Sequence, residues 1–265
     1  MNRSTGARLC ATAAVGALSL ALITGCSGGS SDDAEDGAKD TGSSASSSAP
    51  AAKALTSAEL EKLLLAQGAV SGYKVDSGDD LLPKSKKDVK TDKPACDPLA
   101  WATGGLAPGD TGANASNSLT EDKKPSGAPT SLEDVSEADI ENAFKINITF
   151  VGLSSYEGDG AEKAMKAVSD GVKACSGGYG VTADGENSKV TKVAEIEGAA
   201  GGDESVGFAE DVDMDGDGTA TFHTQVVRKG NTVATFYTAD FTALTGGKAA
   251  EVPAAVVQAQ LARLK

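Results

Sequence analysis

Apolar residues recur every three or four positions in several stretches of the chain, which is the spacing of one buried helix face. Three such stripes are Leu60, Leu63 and Leu64; Met165, Val168, Val172 and Cys175; and Val257, Leu261 and Leu264. Thr56 and Glu59 have the spacing of a capping box, and Gly68 is a typical residue just past a helix. We therefore predict a first helix that begins after Thr56 and ends at Gly68, and a second helix capped by Asp159. A third helix closes the chain.

Alternation of apolar and polar residues predicts strands elsewhere in the chain. It is clearest between Phe144 and Phe150, where we expect one face to be buried and the other to face water, as in antiparallel sheets. Further strands are expected at 73–75, 189–197, 204–211, 219–228 and 232–241, and one more near 113–119 within an otherwise irregular loop. A slip of the apolar register between Val190 and Val193 predicts a bulge. This order of elements is typical of an α+β fold, with helices packed against a single antiparallel sheet.

The N-terminal 25 residues have the layout of a secretory signal peptide. Arg3 and Arg8 precede an uncharged, mostly apolar run from 9 to 23, which is short for a membrane-spanning helix. The segment Ile23-Thr24-Gly25-Cys26 resembles the lipobox of bacterial lipoproteins. That resemblance implies cleavage before Cys26 and a lipid on this residue, with diacylglycerol and palmitate as the expected groups. The alternative is an ordinary secretory signal followed by an accidental cysteine.

Residues 27–54 are rich in Ser, Gly, Asp and Ala and show no apolar periodicity. Such a composition favours a disordered, flexible linker with a reach of roughly 30 Å. The sequence therefore predicts three parts: a lipoprotein signal peptide at 1–25, a lipidated Cys26 with its linker at 26–54, and one folded α+β domain at 55–265.

Four cysteines occur in the chain, and two of them remain for pairing. Cys10 would leave with the signal peptide, and Cys26 would carry the lipid. In an oxidising compartment Cys96 and Cys175 would then form a disulfide. It would close a loop of roughly 80 residues and stabilise the fold by about 4 kcal/mol in the chain-entropy description. The alternative is a catalytic thiol, for which the neighbouring Gly, Ser and Pro residues supply no base.

The formal net charge of −14 argues against nucleic acid as a partner, because such binding needs a basic surface. Removing residues 1–25, which hold two Arg and no acidic residue, would change this charge to −16. Lys84, Lys86 and Lys87 form a small basic run that we interpret as a solvated loop. Contact of this run with anionic lipid or a wall polymer is the alternative.

Alternating aspartates give the sequence its most metal-like stretch, Asp211, Asp213, Asp215 and Asp217. Calcium prefers several oxygen ligands, and this spacing partly matches a calcium loop. Phe222 and Thr224 stand where the bidentate glutamate of such a loop would be. We therefore favour an acidic hairpin loop and keep weak calcium binding as the alternative.

No catalytic constellation is evident along the chain, so we predict a protein that is not an enzyme and needs no cofactor. His223 is the only histidine, and we expect it to be a satisfied or solvent-facing strand residue. Glu157, Asp159 and Glu162 cluster near a predicted helix start, where capping and the helix dipole explain them.

Several short motifs together carry a resemblance to a known group of proteins. They are Leu55-Thr56 with Glu59-Leu60, Gly72-Tyr73-Lys74-Val75, Cys96-Asp97-Pro98-Leu99, Gly202-Asp203-Glu204, Val226-Val227-Arg228-Lys229-Gly230-Asn231 and Val257-Gln258-Ala259-Gln260-Leu261. The chain resembles actinobacterial lipoproteins similar to the extracellular sensor domain of the membrane Ser/Thr kinase called protein kinase H. The resemblance implies an α+β domain with a cleft for an unknown ligand.

These observations lead to three hypotheses about function. The first is a non-enzymatic ligand-binding or sensor module, anchored by the lipid on Cys26 to the extracytoplasmic face of the cell membrane. Its partners would be the membrane and a small molecule or envelope component. The second is a structural or interaction lipoprotein that docks on an envelope complex. The third is an extracytoplasmic hydrolase.

Overall fold

The computed structural model describes residues 53–78, 81–122, 147–214, 218–240 and 249–265. The predicted signal peptide, Cys26 and nearly all of the predicted linker lie outside these ranges, as do Phe144, Asp215 and Asp217. Within the ranges, no helix is long and apolar enough to cross a membrane.

Nine strands and four α-helices make up the described fold. The strands are β1 (Tyr73–Asp76), β2 (Val89–Thr91), β3 (Asn114–Glu121), β4 (Asn147–Ser155), β5 (Tyr179–Ala183), β6 (Glu186–Ile196), β7 (Glu204–Asp213), β8 (Thr219–Lys229) and β9 (Thr232–Asp240). The helices are α1 (Ser57–Glu61), α2 (Asp97–Thr103), α3 (Gly160–Ala174) and α4 (Ala254–Leu261). All strands pair in one antiparallel sheet of order β1-β3-β4-β9-β8-β7-β6-β5-β2, which confirms the predicted fold class.

Helix α1 begins as predicted and ends earlier than predicted. The Glu59 amide donates to the Thr56 hydroxyl at 3.3 Å, and the Glu59 carboxylate accepts from the Thr56 amide at 2.8 Å, which is a capping box. The helix ends at Glu61 and not at Gly68, because side-chain hydrogen bonds satisfy the backbone groups that further helical turns would use. The Leu65 amide donates to Gln260 Oε1, and the Leu63 carbonyl accepts from Gln260 Nε2.

One face of the sheet, here called the disulfide face, packs against α2 and α3. Leu99, Met165, Val168 and Phe208 are fully buried between these helices and the strands. Cys96 and Cys175 form the predicted disulfide with their Cα atoms 5.9 Å apart, and both are buried. The bond joins the start of α2 to the end of α3 and fastens the two helices to each other.

The opposite face, here called the groove face, packs against α1 and α4. Leu60, Val151, Phe236 and Val256 are fully buried there. The sheet is thus covered on both sides.

Coverage on both sides overturns one prediction for β4. We expected one face of this strand to meet water, but Thr149 is 1 % exposed and Val151 is 0 % exposed. Ser154 and Ser155 are buried as well. The alternating pattern marks small polar residues that pair within the fold, as the Thr149 and Thr238 hydroxyls do at 3.0 Å.

Close packing explains a glycine in the middle of β4. A Cβ atom at Gly152 would overlap the backbone carbonyl of Gly105, which lies just after α2. The strand therefore needs glycine where the chain leaving α2 crosses it.

Two strands were missed and the bulge was found. The register of β6 against β7 shifts between Val190 and Lys192, as predicted. Strands β2 and β5 were not predicted, although Asp184 and Gly185 join β5 to β6 with positive φ angles of 51° and 87°. Asp-Gly is a strong two-residue hairpin signal, and it would have revealed β5.

Asp159 precedes α3 as predicted, but its carboxylate does not cap the helix. It binds Lys163 at 2.8 Å, one turn along the exposed surface, and the helix has no side-chain cap. The ion pair with Lys163 engages the Asp159 carboxylate, which explains why this carboxylate does not cap the helix.

Candidate functional site

A groove of about 580 Å³ lies where the turn after α1 meets the end of β1. Leu64, Leu65 and Val75 form its apolar lining, and Asn117 of β3 lines it as well. Charged side chains of both signs stand around it: Glu61, Lys62, Asp76 and Arg263. An apolar groove with a few polar groups at fixed positions is the usual form of a ligand site.

Asn117 is the distinctive residue of this groove. Its side chain is 5 % exposed, and its Nδ2 donates to the Leu65 carbonyl at 2.8 Å. Its Oδ1 is buried and has no hydrogen-bond partner. A buried acceptor left unpaired costs about 1–3 kcal/mol, so native proteins rarely keep one without a reason. In this conformation the oxygen is closed off from the groove, so a donor in the groove would reach it only after the side chain turns.

The wall of the groove is held in place by the end of the chain. Gln260, which is fully buried, binds both Leu63 and Leu65. Arg263 donates from Nε to the Leu63 carbonyl and from Nη2 to the Lys62 carbonyl, each at 2.8 Å. These bonds fix the turn at 62–65, so the groove is largely formed before anything binds.

A second buried polar cluster surrounds Glu210 on the disulfide face. Glu210 is 3 % exposed, and it accepts hydrogen bonds from the Tyr179 hydroxyl at 2.5 Å and the Thr103 hydroxyl at 2.9 Å. The described residues place no Lys or Arg within ion-pair distance of it. Burial raises the pKa of Glu210 even though both hydrogen bonds lower it. The pKa of Tyr179 is raised by burial and by the adjacent Glu210 carboxyl.

The Glu210 cluster is closed within the core. Both carboxylate oxygens have partners, and Thr103 lies at the end of α2, so the cluster ties that helix to the sheet. We interpret it as structural.

Asp211 and Asp213 of the Asp-rich stretch lie at the end of β7, where Asp213 pairs with Thr219 of β8. Asp211 accepts from the Thr221 hydroxyl at 2.7 Å, so one of its oxygens is already engaged. Asp215 and Asp217 lie outside the described residues. In the part of the chain that the structure describes, no three His, Cys, Asp or Glu side chains are placed to hold a metal ion. Weak calcium binding stays an untested alternative to the acidic hairpin loop that we favour.

His223 lies in β8 between Ala209 of β7 and Thr238 of β9. Its side chain makes no hydrogen bond to any residue within the described ranges. The structure therefore does not bring it together with a Ser or Asp that could complete a catalytic pair.

Lys86 corrects the interpretation of the basic run. Its ammonium group lies 4.3 Å from the centroid of the Trp101 ring and donates to the Gly109 carbonyl. Burial lowers the pKa of Lys86. Lys84 and Lys87 are exposed, whereas Lys86 is half-buried. Lys86 is not part of a solvated basic surface, because its ammonium group packs over the Trp101 ring in a cation–π contact.

Sequence reasoning missed the groove altogether. Asn117 lies in the polar run Asn114-Ala115-Ser116-Asn117-Ser118, where nothing distinguishes it from Asn114. The only available signal was a polar amide inside a predicted strand near 113–119.

Comparison with known proteins adds a likeness of fold. Neither a protein-family model nor a curated protein matches this chain. Among solved structures, the chain is similar to the extracellular domain of PknH from Mycobacterium tuberculosis, with 15% sequence identity and a TM-score of 0.45. The match covers 80% of this chain and 95% of that chain. It agrees with the resemblance found from the sequence motifs, but at this TM-score it carries no argument about function.

Proposed function

We propose that this protein is a lipid-anchored, extracytoplasmic binding module without catalytic activity, and that its ligand lies in the groove beside Asn117. The single observation that carries the proposal is the buried, unpaired Oδ1 of Asn117 in the lining of a preformed groove. A ligand whose N–H or O–H group paired with this oxygen after a turn of the side chain would remove an energetic penalty that the free protein bears.

The disulfide supports an extracytoplasmic location. Disulfides persist in oxidising compartments and are rare in the cytosol, and Cys96 and Cys175 are bonded and buried. The signal-peptide pattern and the lipobox-like Cys26 support export followed by anchoring.

The start of the folded domain is fixed to one end of the sheet. Asn231, in the turn between β8 and β9, donates to the Lys53 carbonyl at 3.0 Å, and the Leu55 amide donates to the Ser155 hydroxyl at 3.0 Å. Lys53, the first residue that the structure describes, therefore lies beside the β8–β9 turn.

Native mass spectrometry of the mature protein, purified from its own envelope in mild detergent, tests the groove. We expect a retained ligand on the wild type and none on Asn117→Leu. Thr235→Val is the matched control, because the Thr235 hydroxyl is also buried and unpaired but does not line the groove. Ligand-free wild type, or equal retention by Asn117→Leu, would contradict the proposal.

Membrane fractionation tests the anchor. Cys26→Ser should move the protein from the membrane to the soluble fraction, because it removes the sulfur that carries the lipid. Equal membrane association of this variant would show that Cys26 is not the anchor.

The two alternative functions find less support. A docking lipoprotein would be favoured by an exposed apolar patch, but within the described ranges the one large apolar side chain that is exposed is Leu81. A hydrolase would be favoured by a base beside a nucleophile, and His223 has no such partner among the described residues.

A further inference from the structure

The groove is lined by charged side chains that are exposed and do not pair with one another. Two are acidic and two are basic, and we call them the rim charges: Glu61, Asp76, Lys62 and Arg263. None of them forms an ion pair with a described residue, although both signs are present around one groove. Both signs are therefore available to a ligand.

Arg263 is the rim charge whose position is best fixed. Its Nε donates to the Leu63 carbonyl and its Nη2 donates to the Lys62 carbonyl, each at 2.8 Å. Because two hydrogen bonds to the backbone already orient the planar guanidinium, little side-chain entropy is left to lose when an anion binds. Its Nη1 makes no hydrogen bond to a described residue. Carboxylate and phosphate are the anions that an oriented guanidinium recognises best.

The acidic rim charges decide between these two anions. Asp76 Oδ1 accepts from the Ser77 amide at 2.9 Å, whereas its Oδ2 and the carboxylate of Glu61 make no hydrogen bond to a described residue. A phosphate group would bring up to two negative charges beside these carboxylates, which repel it. A ligand that carries a carboxylate and also an ammonium group would satisfy both signs of the rim.

We propose that the groove binds a free amino acid in its zwitterionic form, with its carboxylate on Arg263 and its ammonium group on Asp76 or Glu61. This inference rests on the proposed function and names the class of its ligand. The groove volume of about 580 Å³ lies within the usual range of small-molecule sites. The ammonium group also supplies the N–H donor that Asn117 Oδ1 requires once that side chain has turned.

The common amino acids, each titrated singly into the full mature chain in detergent micelles, provide the probes, and calorimetry measures their affinities. The amino acid that binds most tightly is then compared with two analogues. One is the amine that lacks its carboxylate, and the other is the carboxylic acid that lacks its ammonium group. We expect each analogue to bind roughly three- to tenfold more weakly, because each loses one charge-assisted contact at an exposed rim.

Arg263→Gln tests the partner of the carboxylate. In this variant the amino acid and the amine without a carboxylate should bind with equal affinity, because the group that distinguishes them is gone. If Arg263 served only to hold the turn after α1, the variant would weaken both compounds by the same factor and keep the difference between them.

Asp76→Asn combined with Glu61→Gln tests the partner of the ammonium group. The double variant should bind the amino acid and the carboxylic acid without an ammonium group equally well. Glu186→Gln combined with Glu195→Gln is the matched control, because both residues are exposed on β6 and neither lines the groove. This control should keep the wild-type difference.

Three results would overturn the amino-acid proposal. They are no binding of any common amino acid, equal affinity of the wild type for the amino acid and an analogue, and differences that persist in both charge variants. If native mass spectrometry still shows an Asn117-dependent ligand, the proposed function stands and the amino-acid assignment alone fails. If both experiments are negative, both proposals fail.

Discussion

Each face of the sheet buries polar side chains, and two of them, Glu210 and Asn117, differ in how completely they are paired. On the disulfide face, the two carboxylate oxygens of Glu210 are met by Tyr179 and Thr103. On the groove face, Asn117 uses its amide nitrogen and leaves its oxygen unpaired. A fully paired group strengthens a fixed packing, whereas a half-paired group marks a place where another molecule can improve the energy.

The faces also differ in what holds their helices. A disulfide joins α2 to α3 on one face. On the other, hydrogen bonds from Gln260 and Arg263 hold the turn after α1, and no covalent cross-link is present among the described residues of that face. Binding is therefore expected on the face that is held by hydrogen bonds.

The largest expected effect comes from breaking the disulfide. Cys96→Ala with Cys175→Ala should lower the free energy of unfolding by about 4 kcal/mol, because the unfolded chain regains the freedom of a long loop. Urea unfolding, with reduced wild type as the control, measures it. Ligand retention by the folded variant should persist, and its loss would show that the two faces are coupled.

A smaller loss in the free energy of unfolding is expected when either of two buried amide side chains on the groove face is replaced. Gln260→Leu should cost about 2–3 kcal/mol, because it leaves the Leu63 carbonyl and the Leu65 amide without this partner. Asn117→Leu should cost less than about 1 kcal/mol, because the lost bond to Leu65 is offset by removal of the unpaired oxygen. Equal losses in urea unfolding would contradict the distinction between paired and half-paired groups.

The pH dependence of stability tests Glu210. Its pKa is raised above the ordinary value of 4.5, so the folded state holds a proton that the unfolded state releases. Stability should therefore be highest below about pH 4.5 and fall as the pH rises toward the raised pKa, then level off. We expect a smaller effect than that of the disulfide.

Glu210→Gln should remove this part of the pH dependence and make the variant relatively more stable at pH 8 than at pH 4. Glu195→Gln, at an exposed position, is the charge-matched control. Parallel stability curves for wild type and Glu210→Gln in urea unfolding would show that Glu210 is ionised in the fold.

The smallest expected effect is that of calcium. Asp211 is already bound to Thr221, so calorimetry at millimolar calcium should show no saturable heat. A saturable signal that disappears in Asp213→Asn would establish a site at the β7–β8 hairpin and add a second binding region to the molecule.

Local patterns anticipated a large part of the fold. The Thr56 and Glu59 pair placed the start of α1, and the spacing of Met165, Val168 and Val172 placed α3, because caps and helical faces depend on neighbours within one or two turns. The predictions were wrong where residues distant in the sequence act on an element. Gln260 ended α1 early, and the helices on both faces buried a strand whose pattern predicted one wet side.

The sequence by itself determined the cysteine pairing, because only two cysteines remained for a disulfide once the N-terminal segment was set aside. It also determined the α+β class, and it is the basis for the predicted lipid attachment at Cys26. Only the tertiary structure decided that Asn117, Val75 and Arg263 share one groove. The reason is physical: their partners lie tens to hundreds of residues away, and whether a buried oxygen is paired depends on every segment that packs around it.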